Sequence, residues 1–144
     1  MLKYNIGPEY IAGFFDGEGC IYAHTTNLRV IITNTNKKML EDISEYFGDG
    51  KLGENVRIKK RNGEGNRKQC YTLTFWNRRA ERVLIELLPY LQIKRPEAEL
   101  AIEFMGTMRR RGEGNGKFGN TKLSDEILNK RSELCLQIKQ LKLA

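Results

Sequence analysis

Apolar side chains recur along the chain with two spacings, one of two residues and one of a helical turn. The two-residue spacing predicts four β-strands, over Cys20–Asn27, Leu28–Asn34, Lys51–Lys60 and Lys68–Asn77. The helical spacing predicts five helices, over about Pro8–Asp16, Lys37–Phe47, Arg79–Leu88, Pro96–Met108 and from Ser124 to about Leu141. Pairs of strands separated by helices are typical of an α+β domain with one antiparallel sheet. We expect residues 1–144 to form a single domain.

One face of the predicted sheet is polar and basic. In the second strand Leu28, Val30 and Ile32 share the apolar face, so Arg29 and Thr33 point the other way. Alternation in the other strands, with Arg61 in the turn after the third, gives these candidate DNA contacts: Tyr22, His24, Arg29, Thr33, Lys51, Asn55, Arg57, Lys59, Arg61, Lys68, Thr72 and Thr74. A solvated face would be balanced in charge, whereas this face carries almost no acids. A wide basic sheet face suits a groove of duplex DNA.

The bulk composition agrees with a nucleic-acid partner. The net charge is +7 and the pI is about 9.4, which favours an acidic partner; a basic protein without one is the alternative. The three cysteines are widely spaced and form no C-x-x-C motif, so neither zinc nor a disulfide framework is indicated. The sequence shows no apolar run of membrane-spanning length and no signal pattern. We expect the protein to act in the cytoplasm or organelle matrix in which it is made, and not to be secreted.

The segment Tyr10–Gly19 ends a predicted apolar helix in Asp-Gly-Glu-Gly. Hard cations that assist phosphodiester cleavage prefer oxygen ligands, so Asp16 and Glu18 are candidates. Two residues apart on a helix, they point in different directions, and one of them caps while the other binds metal. One acid is few for a two-metal site, but the small Ala12 and Gly13 would let a second copy pack closely. The alternative is close packing inside the chain with a solvated turn.

Residues 11–19, Ile-Ala-Gly-Phe-Phe-Asp-Gly-Glu-Gly, resemble the LAGLIDADG motif of the homing endonucleases. The order of strands and helices after the motif is similar to that family's αββαββα core, with a saddle-shaped four-stranded sheet and additional C-terminal helices. The motif occurs once, as in the members that act as homodimers. The resemblance implies a dimer interface at Ile11, Ala12, Gly13, Phe14 and Asp16.

The resemblance also implies roles for individual residues. Glu18 corresponds to the metal ligand, and the backbone carbonyl of Gly17 would join the metal shell. Lys94 corresponds to a basic residue near the scissile phosphate, and Asn34 to a polar residue that holds solvent near the metal. Asp16 corresponds to an acid that closes the end of the helix, and either Lys37 or Lys38 would be a further basic residue.

The function implied is that of an intron-encoded, site-specific endonuclease. It would bind a long pseudo-palindromic double-stranded DNA site as a homodimer and hydrolyse both strands with Mg²⁺, or with another divalent cation such as Mn²⁺ or Ca²⁺. The alternative is a non-catalytic nucleic-acid-binding module of the same fold, such as a DNA-binding regulator or a maturase with intron RNA as its partner.

Overall fold

The computed structural model describes residues 6–55, 69–108 and 124–143, which form five helices and four strands. The helices are α1 (Pro8–Glu18), α2 (Lys37–Phe47), α3 (Arg78–Leu87), α4 (Arg95–Gly106) and α5 (Asp125–Leu143). The strands are β1 (Gly19–His24), β2 (Asn27–Asn34), β3 (Lys51–Asn55) and β4 (Cys70–Trp76), and a 3₁₀ turn covers Leu88–Tyr90. The predicted continuation of β3 beyond Asn55 lies outside the described residues. None of the helices in the described ranges is long and apolar enough to cross a membrane.

The four strands form one antiparallel sheet in the order β1-β2-β4-β3. In its register Ile21 pairs with Val30, Val30 with Phe75, and Leu52 with Leu73. These side chains share the face that the helices cover, and all but the half-buried Leu52 are buried in one hydrophobic core. The predicted α+β class with a four-stranded antiparallel sheet is confirmed.

Local sequence signals explain where several helices begin and end. Asn36 caps α2, because its side chain accepts a hydrogen bond from the Met39 N–H at 3.1 Å. Gly48 ends α2 in the left-handed conformation, with a φ of 63°. The Ser124 hydroxyl accepts from the Ile127 N–H at 3.3 Å at the start of α5. Capping residues, together with the spacing of apolar residues, therefore determine where these helices begin and end.

Asn77 joins β4 to α3 in a conformation that is rare for a residue with a side chain. Its φ is 51° and its ψ is −120°, and these angles match those of the first central residue of a type II′ turn. The Asn77 N–H donates to the Leu28 carbonyl at 2.8 Å, and the Leu28 N–H donates to Asn77 Oδ1 at 3.0 Å. The side chain thus completes a strand-like pair with β2 while the backbone turns into the helix.

The helical spacing of Leu123, Ile127, Leu134, Ile138 and Leu141 predicts one apolar stripe along the last helix, and this stripe contains a buried arginine. Leu134 and Ile138 are buried, Ile127 is half-buried, and Leu141 is exposed. Arg131, one turn from Leu134 on the same side of α5, is only 5% exposed. Leu123, the first residue of the predicted stripe, lies outside the described residues. The stripe is therefore shorter than expected, with a charged group inside it.

Candidate nucleic-acid interface and catalytic centre

The C-terminal end of α1 is joined to the segment before α4 by hydrogen bonds through Asp16 and Lys94. The Asp16 carboxylate accepts from the backbone N–H of Gln92 at 2.8 Å and of Lys94 at 2.9 Å. The Lys94 ammonium in turn donates to the Asp16 carbonyl at 2.8 Å. That carbonyl belongs to the last turn of α1, whose carbonyls lack intrahelical donors and carry partial negative charge. Asp16 is thus engaged within the chain, and Lys94 is held beside the end of α1.

Glu18 is the last residue of α1, and its side chain is exposed. A carboxylate at a helix C-terminus is repelled by the negative end of the helix dipole. Across the described part of the chain, Glu18 forms no ion pair or side-chain hydrogen bond that would offset this repulsion. The arrangement favours the approach of a cation to Glu18.

Asn34 lies at the same end of the sheet. In the β1–β2 pairing, Gly19 lies opposite Ile32. Glu18 directly precedes Gly19, and Asn34 follows Ile32 by two residues, so both lie at this end of the two strands. Asn34 Oδ1 accepts from the Asn36 N–H at 2.8 Å, which fixes the turn into α2. The two lysines that follow form ion pairs along α2, Lys37 with Glu41 at 3.8 Å and Lys38 with Asp42 at 3.1 Å. These contacts do not choose between Lys37 and Lys38 as a further basic residue.

The oxygen ligands at the end of α1 suit a hard divalent cation, but one chain supplies few of them. The exposed Glu18 carboxylate and the backbone carbonyl of Gly17, both in the last turn of α1, are oxygens of the kind that such a cation binds. Among the residues that the structure describes, no group of three or more His, Cys, Asp or Glu side chains could enclose a metal ion. Glu18 and the neighbouring backbone carbonyls therefore fit part of the coordination shell of a divalent cation.

The predicted polar face of the sheet is formed by side chains from all four strands. Tyr22, His24 and Lys51 are exposed, and Arg29, Thr33, Thr72 and Thr74 are half-buried. Pairing brings Arg29 over the Tyr22 ring at 5.6 Å and Thr33 Oγ1 within 3.3 Å of Thr72 Oγ1. Asn55 ends β3 opposite Cys70, while Arg57, Lys59, Arg61 and Lys68 lie outside the described residues.

The same face includes residues beyond the predicted contacts. Ile31 and Trp76 alternate with its members, and Trp76 is 40% exposed. Cys70 shares the register of this face but is only 6% exposed, so it presents no accessible thiol there. The described positions of the face contain no acid, which leaves a positively charged surface with an exposed aromatic ring at each end of the Tyr22–Arg29–Trp76 row. Such rings can stack on bases or sugars while the cations meet phosphate.

The outer side of α1 differs from the predicted interface. Ile11 and Ala12 are fully buried in the core, so their side chains are not available to a second copy. Gly13 is exposed, and among the described residues a Cβ added there would meet no atom within 4 Å apart from its own helix backbone. Tyr10 and Phe14 flank it with ring centroids 6.5 Å apart. Close packing inside the chain therefore explains Ala12 but not Gly13, because the described part of the chain leaves the space above Gly13 empty.

Two residues of α5 that the sequence interpretation missed contact the sheet. The Lys142 ammonium lies 4.2 Å from the centre of the Tyr22 ring and donates to the Ile21 carbonyl. A hydrogen bond with Cys20 raises the pKa of the Tyr22 phenol. Arg131 donates to the Thr25 carbonyl in the turn after β1. The spacing of Ile127, Arg131, Leu134 and Ile138 was the available signal, since an arginine on an apolar stripe requires partners.

The described elements begin in the order αββαββα, with the exposed Glu18 carboxylate at the end of the first helix, where the chain enters the sheet. A family profile described as a LAGLIDADG-like domain matches residues 8–88, which is more than half of the chain. The chain belongs to this family, as the motif indicated.

Relatives of known structure carry the same fold. The chain is 29% identical over 109 residues to the DNA endonuclease I-CvuI of Chlorella vulgaris, a match that covers 67% of this chain and 62% of that protein, which is less than two thirds of its length. A crystal structure of I-CvuI with its target, in the presence of 2 mM Ca, has a TM-score of 0.65 and 21% identity, covering 93% of this chain and 80% of that chain. The archaeal intron-encoded homing endonuclease I-Vdi141I, complexed with DNA, has a TM-score of 0.68 and 17% identity, with coverage of 93% and 82%. At these identities the structures show a shared fold.

Proposed function

We propose that this chain is a divalent-metal-dependent DNA endonuclease that acts as a homodimer and hydrolyses both strands of a long pseudo-palindromic site. The observation that carries the proposal is Glu18, an exposed carboxylate at the negative end of α1 that has no partner in the described part of the chain. Glu18 follows Asp16 by two residues, and Asp16 is hydrogen-bonded to Lys94. Gly19, the next residue after Glu18, starts β1 of the sheet. The match to I-CvuI, a DNA endonuclease, supports the same class of substrate.

Each residue at this end of the sheet has a distinct proposed role. Glu18 and the Gly17 carbonyl would hold the cation, for which we propose Mg²⁺. The bound cation would stabilise negative charge at the scissile phosphate. The Lys94 ammonium would meet phosphate oxygens by exchanging its contact with the Asp16 carbonyl, and the Asn34 amide would orient solvent near Glu18. Asp16 would act as a positioning residue, because its two backbone contacts fix Lys94.

The proposed dimer would form through the outer side of α1. Gly13 and Gly17 both leave open space where a Cβ would be, and Tyr10 and Phe14 add apolar surface beside them. A glycine inside a helix costs about 1 kcal/mol relative to alanine and has no compensating contact here within the described part of the chain. Packing of two such faces would bring two copies of Glu18 together, which would supply the second acid that a single chain lacks.

Selection from a DNA library tests the proposal although the target sequence is unknown. Duplexes with randomised pseudo-palindromic sites would be incubated with the protein and Mg²⁺, and the cleaved ends sequenced. We expect one family of sites, cut on both strands, and no cutting after chelation of the metal. Cleavage that persists in chelator, or binding of DNA without cleavage in any divalent metal, would contradict the proposal.

A further inference from the structure

Arg131 of α5 joins three parts of the fold through a buried guanidinium. Its Nε donates to Thr107 Oγ1 at 3.1 Å, its Nη2 to the Thr107 carbonyl at 2.9 Å, and its Nη1 to the Thr25 carbonyl at 3.2 Å. Thr107 follows α4, where its hydroxyl donates to the Phe104 carbonyl at 2.7 Å. The cation is therefore placed at the negative end of α4. One side chain thus connects α5, the end of α4 and the β1–β2 turn.

The β1–β2 turn lies far from the proposed chemistry. Strand β1 starts at Gly19, next to Glu18, and ends at His24, one residue before Thr25. At the usual rise of a strand, Thr25 in the turn is roughly 20 Å from Gly19 at the Glu18 end of β1. His24 is exposed at this distal end of the polar face, and Tyr22 is two residues closer to Glu18. The turn would therefore meet the DNA well away from the cleavage position.

We propose that Arg131 is a positioning residue for the β1–β2 turn and thereby determines discrimination at the outer base pairs of each DNA half-site. This inference rests on the proposed DNA-binding function. Only 5% of Arg131 is exposed, so its planar fork of donors is held by packing as well as by hydrogen bonds. A shift of the Thr25 carbonyl by about 1 Å would break the contact. Sequence is read by contacts to base edges, and hydrogen bonds to base edges need a fixed geometry of the protein backbone that carries them.

A lysine cannot replace this arrangement, because one ammonium cannot reach Thr107 and Thr25 in the same planar geometry. Arg131→Lys therefore keeps the charge and loses the connection, and Arg131→Met removes both. Thr107→Val removes the hydroxyl acceptor while Arg131 stays in place, and Thr107→Ser keeps that hydroxyl as its matched control. Lys130→Met changes the neighbouring residue, whose ammonium lies 3.9 Å from Glu103 on the surface, and controls for loss of a cation on α5.

Two measurements test the inference. Hydrogen exchange of the DNA-free protein should rise about tenfold at the amides of residues 24–28 in Arg131→Lys and Thr107→Val, and stay unchanged at residues 19–21. Cleavage of targets substituted one base pair at a time should show discrimination reduced about tenfold at the outer positions alone. The two control variants should behave like the wild type in both assays.

The possible results separate the inference from the proposed function. Unchanged exchange in the turn, with discrimination intact, would overturn the role of Arg131 and leave the endonuclease proposal standing. Loss of discrimination equally at central and outer positions would also overturn it, since it would indicate a general loss of structure. A wild-type chain that bound no DNA would overturn the proposed function and the specificity role together.

Discussion

Gly13, in the middle of α1, is a position where chain stability and assembly should respond in opposite directions. In the part of the single chain that the structure describes, a Cβ at Gly13 meets no atom within 4 Å outside the backbone of its own helix. Gly13→Ala should therefore stabilise an isolated chain by about 1 kcal/mol through helix propensity alone. In the proposed dimer the added methyl would face the partner helix, where glycine allows close backbone approach. A penalty of about 1.4 kcal/mol weakens a dimer tenfold, and we expect at least this effect. Gly13→Leu, with a much larger side chain to place, should abolish the dimer.

Sedimentation velocity over a concentration series would give the dissociation constant, and urea unfolding at several protein concentrations would separate dissociation from unfolding. Gly106→Ala is the matched control, because Gly106 is an exposed helical glycine in α4 with the same open space around it. It should gain stability without a change in assembly. If Gly13→Leu remains a dimer of unchanged affinity, the outer side of α1 is not the interface. The proposal that two copies of Glu18 come together at the metal site would then be wrong.

Three further variants test individual contacts. Asp16→Asn should lower the free energy of unfolding by about 2 kcal/mol, because one of two hydrogen bonds to a charged acceptor is lost. It should also slow DNA cleavage more than it weakens DNA binding. Unchanged cleavage would contradict the proposal that Asp16 positions Lys94. Asn77→Gly should lower the free energy of unfolding by about 1 kcal/mol and Asn77→Ala by about 2–3 kcal/mol, because only glycine tolerates a φ of 51° without a side-chain contact. Equal midpoints of chemical denaturation for the two variants would show that the backbone at this position is not strained. Burial raises the pKa of the Glu97 carboxyl above its usual value of 4.5, against the influence of Lys142 and Lys94. The protonated form is thus favoured by folding, and its contribution is lost as the pH rises through the raised pKa. Glu97→Gln should therefore raise the melting temperature at neutral pH, with a gain that shrinks in acid; a gain independent of pH would exclude titration of Glu97 as its cause.

The strands and helix caps were predictable because their signals are local. Alternating burial in Leu28–Asn34 follows from the side-chain period of a strand, and the cap at Asn36 precedes a helical run directly. The sequence alone does not predict which of Ala12 and Gly13 faces the core. Adjacent helical positions point about 100° apart, and both residues are small enough for either environment. The buried Ala12 and the exposed Gly13 are distinguished only by the packing of the whole domain.

The contacts that build the candidate site join residues distant in sequence. The Lys94 N–H and the Asp16 carboxylate are 78 residues apart, and no local pattern links them. Their proximity could be expected from the family resemblance alone. Arg131 and the Thr25 carbonyl are 106 residues apart, and the resemblance gave no expectation for that pair. A charged residue on an apolar stripe indicates that partners exist, but the partners themselves come from the tertiary fold.

Glu18→Gln tests the central claim most directly, because the change removes the negative charge and keeps the shape of the side chain. Cleavage of the selected target in Mg²⁺ would be measured together with binding in Ca²⁺, with Glu9→Gln on the exposed first turn of α1 as the matched control. We expect Glu18→Gln to reduce cleavage by at least about a hundredfold while DNA binding and assembly remain, and Glu9→Gln to cleave at the wild-type rate. Cleavage by Glu18→Gln at the wild-type rate would contradict the assignment of Glu18 as the metal ligand.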